Sequence, residues 1–271
     1  MSDKESVLFT NKHILVCIDD QLPKDNQQLV TDREIDYIKN NFCGIVFTYM
    51  ESFNNHTCES DCMIYLCGDI EQNFNDIQCK SKLINVIREL SYYYEDSPNY
   101  NLIDIGQVPI NIHNVGVYFR SFFNSGKDYF KQIDSEHQFQ ALTESNKPTD
   151  AFRKGIYLTN VSKVNDEDQI KFNLLRCSSN LHGPTDNFRE SDNEVVGQVG
   201  QIAEHFFDNS AKLNHVLAQI YENKIVNNGK KNVEKKAKIK EHSDKTKDMP
   251  TNGLIAFTTF YQNGGSEFNH L

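Results

Sequence analysis

Short apolar runs separated by a capped helical segment most constrain how the first hundred residues can fold. The runs lie at residues 12–18, 44–49 and 62–67, and each has the length of a buried strand. Between the first two, Thr31 precedes a helical segment that continues to about Phe42, and Glu34 completes the spacing of a capping box. This alternation predicts a mixed α/β region, which we place at residues 1–108.

The rest of the chain, residues 109–271, becomes richer in predicted strands. Three helices complete the prediction for the whole chain. The first, at residues 80–94, lies in the mixed α/β region, and the second starts at Ser191 with Glu194 three positions on. The third covers residues 212–221, with apolar positions at Leu213, Val216, Leu217 and Ile220. The apolar run at residues 254–261 is interpreted as a strand.

The charge balance argues against some classes of function. The chain has 28 Lys and Arg residues against 38 Asp and Glu, a net charge of -10, which disfavours bulk, non-specific binding to nucleic acid. No apolar run approaches the ~20 residues that span a bilayer, and the start has no signal-peptide pattern. We therefore expect an intracellular protein, cytoplasmic or nuclear, with no membrane partner. A nucleotide-binding enzyme is disfavoured, because no Gly-rich phosphate loop occurs.

Two groups of residues in the first region leave alternatives open. Four of the seven cysteines cluster beside His56, at Cys58, Cys62, Cys67 and Cys79. Their spacings do not follow the paired short knuckles of structural zinc sites, and reduced thiols are the simpler interpretation. The pair Asp19-Asp20 is consistent with a metal site or with the solvated end of a strand.

A histidine and an aspartate two positions apart carry the clearest chemical signal. In an extended segment, His242 and Asp244 leave the same face of the chain. One imidazole and one carboxylate are two of the three ligands in the facial 2-His-1-carboxylate iron site. Nine lysines lie between Lys224 and Lys247, consistent with a solvated loop or with a positive rim for an anionic substrate.

The order of features from residue 213 to residue 261 resembles the 2-oxoglutarate-dependent dioxygenases, most of all the AlkB-like branch. In that family a polar-x-Tyr triplet leads through a turn to His-x-Asp-Lys, and a strand follows. Here the triplet is Gln219-Ile220-Tyr221, and residues 242–245 read His-Ser-Asp-Lys. The match covers about fifty residues.

The resemblance implies a fold, two cofactors and a set of ligands. The fold would be α+β, with a partial double-stranded β-helix (jelly-roll) core and supporting helices after the mixed α/β region. His242 and Asp244 would hold Fe(II), while Tyr221 and Gln219 would contact 2-oxoglutarate. The activity would be hydroxylation or demethylation. The substrate stays open, and a nucleic acid or a modified base is one candidate class.

One feature of the family has no counterpart in its expected place. A second metal histidine and a basic residue for the distal carboxylate of 2-oxoglutarate should follow several strands later, yet ten residues remain after residue 261 and His270 is their sole histidine. We therefore expect a truncated oxygenase that binds iron weakly and does not turn over. His182, His205 and His215 are the alternative third donors. The rival hypothesis is a non-catalytic α/β binding or interaction module with an incidental His-x-Asp.

Overall fold

The chain forms both helices and strands, the α+β composition that the sequence predicts. A computed structural model describes residues 10–24, 30–123, 126–144, 147–163, 169–171, 185–227, 229, 231–237 and 252–262, with the backbone alone at 142–144 and 147–151. The chain divides into two compact units. The N-terminal unit comprises Glu5–Ser125 and Glu204–Asp208, and the C-terminal unit comprises Gly126–Ala203 and Asn209–Leu271, together with Met1–Lys4.

Strands and helices alternate in the N-terminal unit. In chain order its elements are β1 (His13–Cys17), α1 (Asp32–Asn41), β2 (Ile45–Phe47), α2 (Met50–Asn54), β3 (Met63–Asp69), α3 (Ile70–Gln78), β4 (Leu83–Tyr92), β5 (Asn101–Ile103), β6 (Ile110–Ile112) and β7 (Gly116–Tyr118). The first five strands form one parallel sheet in the order β2-β1-β3-β4-β5, the order of one common type of doubly wound α/β sheet. The predicted strands in residues 12–18, 44–49 and 62–67 are confirmed as β1, β2 and β3.

Both faces of the parallel sheet are buried. Leu15 of β1 packs in a cluster with Ile38 of α1, whereas Ile14 packs on the other face with Phe53 of α2 and Ile77 of α3. The predicted capping box of α1 is confirmed, because Thr31 accepts a hydrogen bond from the amide of Glu34 and Glu34 accepts one from that of Thr31.

The prediction of a helix at residues 80–94 is wrong: Leu83–Tyr92 form strand β4. β4 lies between β3 and β5, so it needs apolar side chains on both faces. Val86 joins one apolar cluster, while its neighbour Ile87 joins the other. Apolar residues on both sides of a strand happened to reproduce helical spacing, and the sequence pattern alone could not separate the two.

The C-terminal unit centres on a small sheet backed by a long helix. Its elements are α4 (Tyr129–Glu136), β8 (Gln140–Glu144), β9 (Lys147–Thr159), β10 (Ser162–Lys163), β11 (Ile170–Lys171), β12 (Asp186–Asn187), α5 (Glu190–Phe206), β13 (His215–Tyr221), β14 (Lys224–Asn227) and β15 (Asn232–Lys235). β9 pairs antiparallel with β8 and β13 and parallel with β12. One face of this sheet packs its apolar side chains, including Leu158 and Val216, against Val196 of α5.

Two predictions near the C-terminus are wrong. Residues 215–221 form strand β13 instead of a helix, because alternate positions, Val216, Ala218 and Ile220, turn inward while Leu217 between them is exposed. The predicted strand at residues 254–261 forms neither helix nor strand. No described helix combines the length and apolarity needed to cross a membrane.

The N-terminal unit is completed by the end of α5. The ring of His13 stacks on Phe206 with centroids 3.7 Å apart and planes 8° apart, and the amide of Thr10 donates to the carbonyl of Phe206 at 3.1 Å. His13 is completely buried. Burial, and second the neighbouring His205, lower the pKa of His13 from 6.5 to about 3.

The buried His13 predicts acid-sensitive stability. Below pH 6.5 the unfolded chain protonates this imidazole while the folded chain does not, so stability falls as pH drops toward 3. Between pH 7 and pH 4.5 we expect His13 to account for a loss on the order of 2–3 kcal/mol. Urea unfolding at the two pH values measures it. His13→Leu should reduce the difference, whereas His113→Asn, at an exposed turn position with φ 50° that Asn tolerates, should not.

Gly44, which precedes β2, should not tolerate a side chain. Its φ is 156°, and a Cβ there would lie 2.1 Å from the carbonyl oxygen of His13. We expect Gly44→Ala to lower the free energy of unfolding by roughly 1–3 kcal/mol, measured by denaturant titration. Gly116→Ala is the matched control, since its Cβ would meet nothing within 4 Å; equal losses in the two variants would contradict the prediction.

Candidate functional site

The structure brings together the two residues that the resemblance assigns to 2-oxoglutarate. Gln219 and Tyr221 are two positions apart on β13, so their side chains share one face of the sheet. The hydroxyl of Tyr221 donates to Oε1 of Gln219 at 2.6 Å. Tyr221 is 41% exposed, so this polar pair remains accessible at the end of the strand.

Other polar and aromatic side chains share that face. Residues directly opposite in paired strands lie on the same side of a sheet, and the register sets Tyr221 opposite Arg153, Gln219 opposite Gly155, and Leu217 opposite Tyr157. We call this surface the polar face; it comprises Arg153, Tyr157, His215, Leu217, Gln219 and Tyr221.

Two buried nitrogens of the polar face lack partners within the described part of the chain. They are Nε of Arg153 and Nε2 of His215. A guanidinium is always charged, and a buried donor without an acceptor costs about 1–3 kcal/mol. Burial lowers the pKa of His215, which favours its neutral form. The polar face therefore offers a cationic donor beside the Tyr221 hydroxyl, which suits a carboxylate or another anion.

Of the other predicted site residues that the structure describes, His215 lies on this face and His205 does not. His242 and Asp244, the predicted iron ligands, lie outside the described residues, as do His182 and His270. His205 belongs to the N-terminal unit, where its ring lies 6.3 Å from that of His13.

His215 is on the polar face but far from Tyr221 along strand β13. Tyr221 is six residue steps further along the strand, a distance of about 20 Å. Its ring contacts Tyr157, with centroids 5.5 Å apart. This spacing is too long for one metal ion bound by His215 to share a small ligand with Tyr221.

A second cluster was not predicted from the sequence. It joins Glu136 at the end of α4, His137, Asp186 of β12 and Asp192 in the first turn of α5. The side chain of His137 is 0% exposed; its Nδ1 lies 3.1 Å from Asp186 and its Nε2 lies 2.7 Å from Asp192. We call these four residues the histidine–carboxylate cluster.

Further hydrogen bonds hold the carboxylates of this cluster in place. Ser191 donates its hydroxyl to Glu136 at 2.6 Å, and the amide of Arg189 donates to Asp192 at 2.7 Å. Burial works to raise the pKa of Asp186, but hydrogen bonds from His137 and a backbone amide, with nearby Arg189, outweigh it and hold that pKa below its usual range.

The start of α5 explains why the cluster escaped prediction. The sequence places Ser191 as the cap with Glu194 bonding back, whereas the helix begins at Glu190 and the carboxylate of Asp192 bonds the amide of Arg189. The cluster's residues are also about 50 positions apart, so no local motif marks them. The one available signal was the polar side chain of Asp192 in a first helical turn, which also fits a simple cap.

Among described residues, one group brings three metal-ligating atoms within 4.8 Å of one another: Glu136, His137 and Asp192. The cysteine group forms no such site there; Cys67 donates to the carbonyl of Val16 in the core, and Cys79 is exposed. Asp19 pairs with Lys39 at 2.8 Å. This ion pair fits the interpretation of Asp19-Asp20 as the solvated end of a strand.

Comparison of the chain with protein-family models, curated proteins and solved structures gives no match.

Proposed function

We propose that the C-terminal unit is the core of an Fe(II)- and 2-oxoglutarate-dependent oxygenase of the jelly-roll type. His242 and Asp244 would hold the iron, and Tyr221 with Gln219 would bind 2-oxoglutarate. The observation that carries the proposal is the hydrogen-bonded Gln219–Tyr221 pair on the polar face, directly opposite Arg153.

The residues of the polar face fit a dicarboxylate. A carboxylate accepts hydrogen bonds from a tyrosine hydroxyl and, more strongly, from a guanidinium. The Nε of Arg153 is buried with no acceptor among the residues described, and bound 2-oxoglutarate would supply one. The family's basic residue lies late in the chain; here Arg153, which precedes Tyr221, would serve in that role.

The chain's own residues would bind and orient the reactants. Iron(II) held by His242 and Asp244 would supply the oxidation of a C–H bond, with the keto acid and oxygen as co-substrates. Arg153 would neutralise one carboxylate of the keto acid, while Tyr221 and Gln219 would fix its orientation. On the far side of the sheet, the apolar packing against α5 would hold β9 and β13 rigid, so these contacts stay aligned.

A basic hairpin supports an anionic substrate for this proposal. β14 pairs with β15, and their exposed residues include Lys224 and Lys235, which lie opposite each other in register. Lys224 also lies over the ring of Phe152, 5.0 Å from its centroid. Exposed lysines next to an aromatic ring suit a phosphate-bearing substrate such as a nucleic acid or a modified base.

The second candidate is a non-catalytic binding module located in the N-terminal unit. Doubly wound sheets bind ligands beyond the carboxyl ends of their strands, where the strand order reverses. At that edge, between β1 and β3, Asn73 is buried and donates to Gln21 at 2.6 Å, and Gly68 adopts φ 104° against Gln21. Failure of the iron and 2-oxoglutarate tests below would favour this candidate.

The iron assignment predicts a metal–keto-acid complex. Anaerobic addition of Fe(II) and 2-oxoglutarate to the full chain should give a visible charge-transfer absorption, which requires both to be bound together. His242→Ala and Asp244→Ala should each weaken it at least tenfold, since each removes a ligand. An equal signal in wild type and both variants would remove the iron assignment.

The polar face predicts that replacing Arg153 or Tyr221 weakens the binding of 2-oxoglutarate. Titration in the presence of Fe(II) should show that Arg153→Gln lowers the affinity for 2-oxoglutarate about tenfold and that Tyr221→Phe lowers it about fivefold. The first variant loses a hydrogen bond from a cationic donor, and the second loses one from a neutral donor. The control is Lys154→Gln, because Lys154 is on the opposite face and forms an exposed pair with Glu222. A loss in Lys154→Gln as large as in Arg153→Gln would contradict the assignment.

A further inference from the structure

The histidine–carboxylate cluster is separate from the polar face and is not used by the proposed oxygenase. Its carboxylates come from three elements: Glu136 ends α4, Asp186 lies in β12 and Asp192 is in the first turn of α5. His137, which follows Glu136, lies between the two aspartates. We infer that Glu136, His137 and Asp192 form a second metal site, for a first-row divalent ion of the zinc type.

The number of available hydrogens supports a cation at this position. A neutral imidazole has one N–H and can donate to a single acceptor. Both nitrogens of His137 nevertheless face carboxylate oxygens at 3.1 and 2.7 Å, and the side chain is fully buried. With a neutral imidazole, one of the two contacts therefore brings a nitrogen lone pair toward an anionic oxygen. Either a proton on that nitrogen or a metal ion bound to it removes the repulsion.

The local charge favours a divalent ion. Three carboxylates, those of Glu136, Asp186 and Asp192, surround one imidazole. Among the described residues, Arg189 is the arginine or lysine that contacts them, 3.3 Å from Asp186. Burying excess negative charge is costly without a counter-ion. An ion bound by Nε2 of His137 and by Glu136 and Asp192 would offset that charge.

The side chains must shift to accept such an ion. Zinc–nitrogen and zinc–oxygen bonds of ~2.0–2.2 Å in a tetrahedron set ligand atoms roughly 3.3 Å apart. The present separation between Nε2 of His137 and Asp192 is 2.7 Å, so these side chains would move apart by a few tenths of an ångström. The ligating atoms of all three residues lie within 4.8 Å of one another, so Glu136 would move inward by at most about 1.5 Å. The fourth position would be open to water or a ligand, as in zinc sites with three protein ligands.

Neighbouring groups already orient the ligands. Asp186 bonds Nδ1 of His137, the arrangement in which a carboxylate fixes a metal-binding histidine through its other nitrogen. Ser191 bonds Glu136 from α5. Because imidazole and carboxylate donors together suit zinc and its first-row neighbours better than calcium or magnesium, the ion is expected to be of that class.

The test separates this site from the proposed iron site. In the full chain carrying His242→Ala and Asp244→Ala together, calorimetric titration with Zn²⁺ should still show one tight site, and Zn²⁺ should raise the unfolding temperature. Adding Glu136→Gln or Asp192→Asn to that background should weaken binding at least tenfold and remove the temperature shift. Adding Glu194→Gln is the control: it lies on α5 and pairs with Lys127 outside the cluster, and it should leave binding unchanged.

Two outcomes would overturn the inference. One is the absence of a tight Zn²⁺ site in the double variant; the other is equal Zn²⁺ affinity with and without Glu136→Gln. If Asp192→Asn unfolds the chain through loss of its bond to the Arg189 amide, Glu136→Gln still decides, because glutamine can keep the hydrogen bond from Ser191. Absence of the charge-transfer absorption in the wild-type chain would count against the oxygenase and would not change the Zn²⁺ result.

Discussion

The antiparallel register between β9 and β13 determines what the C-terminal unit can do. It aligns Arg153 with Tyr221 and His215 with Thr159, and a slip of one residue would exchange the two faces of β13. The apolar side chains of Val216 and Ala218 against α5 fix that register, because exposing them to water would cost several kcal/mol. The arrangement of the polar face is thus a by-product of packing on the opposite side.

The two units place their polar side chains differently. In the N-terminal unit, strands β1, β3 and β4 are apolar on both faces and carry little chemistry in their interiors, while polar groups such as Gln21 and Asn73 gather where the strands end. In the C-terminal unit the sheet is smaller, and its apolar cluster lies on one face. Polar side chains occupy the other face, where Tyr157 and Thr159 are buried and Leu217 and Tyr221 are exposed.

Sequence patterns predicted elements wherever local chemistry decides the structure. The capping box at Thr31 and Glu34, and the short apolar runs of β1 to β3, depend on neighbours along the chain. Helix was predicted for β4 and β13 because burial by distant strands, not local propensity, sets their patterns. The Gln219–Tyr221 pair could be found from a local triplet. The histidine–carboxylate cluster could not, since long-range folding alone brings His137 to Asp192.

The completion of the N-terminal unit by Phe206 has a consequence for the order in which the protein can mature on the ribosome. The ring that covers His13 is translated almost two hundred residues after it, when the whole parallel sheet has already been synthesised. Until then the imidazole has no stacking partner at this position and Thr10 has no carbonyl to bond. The N-terminal unit, although it is translated first, therefore cannot be completed until Phe206 has been added. A product terminated before Phe206 would lack the ring that stacks on His13 of β1.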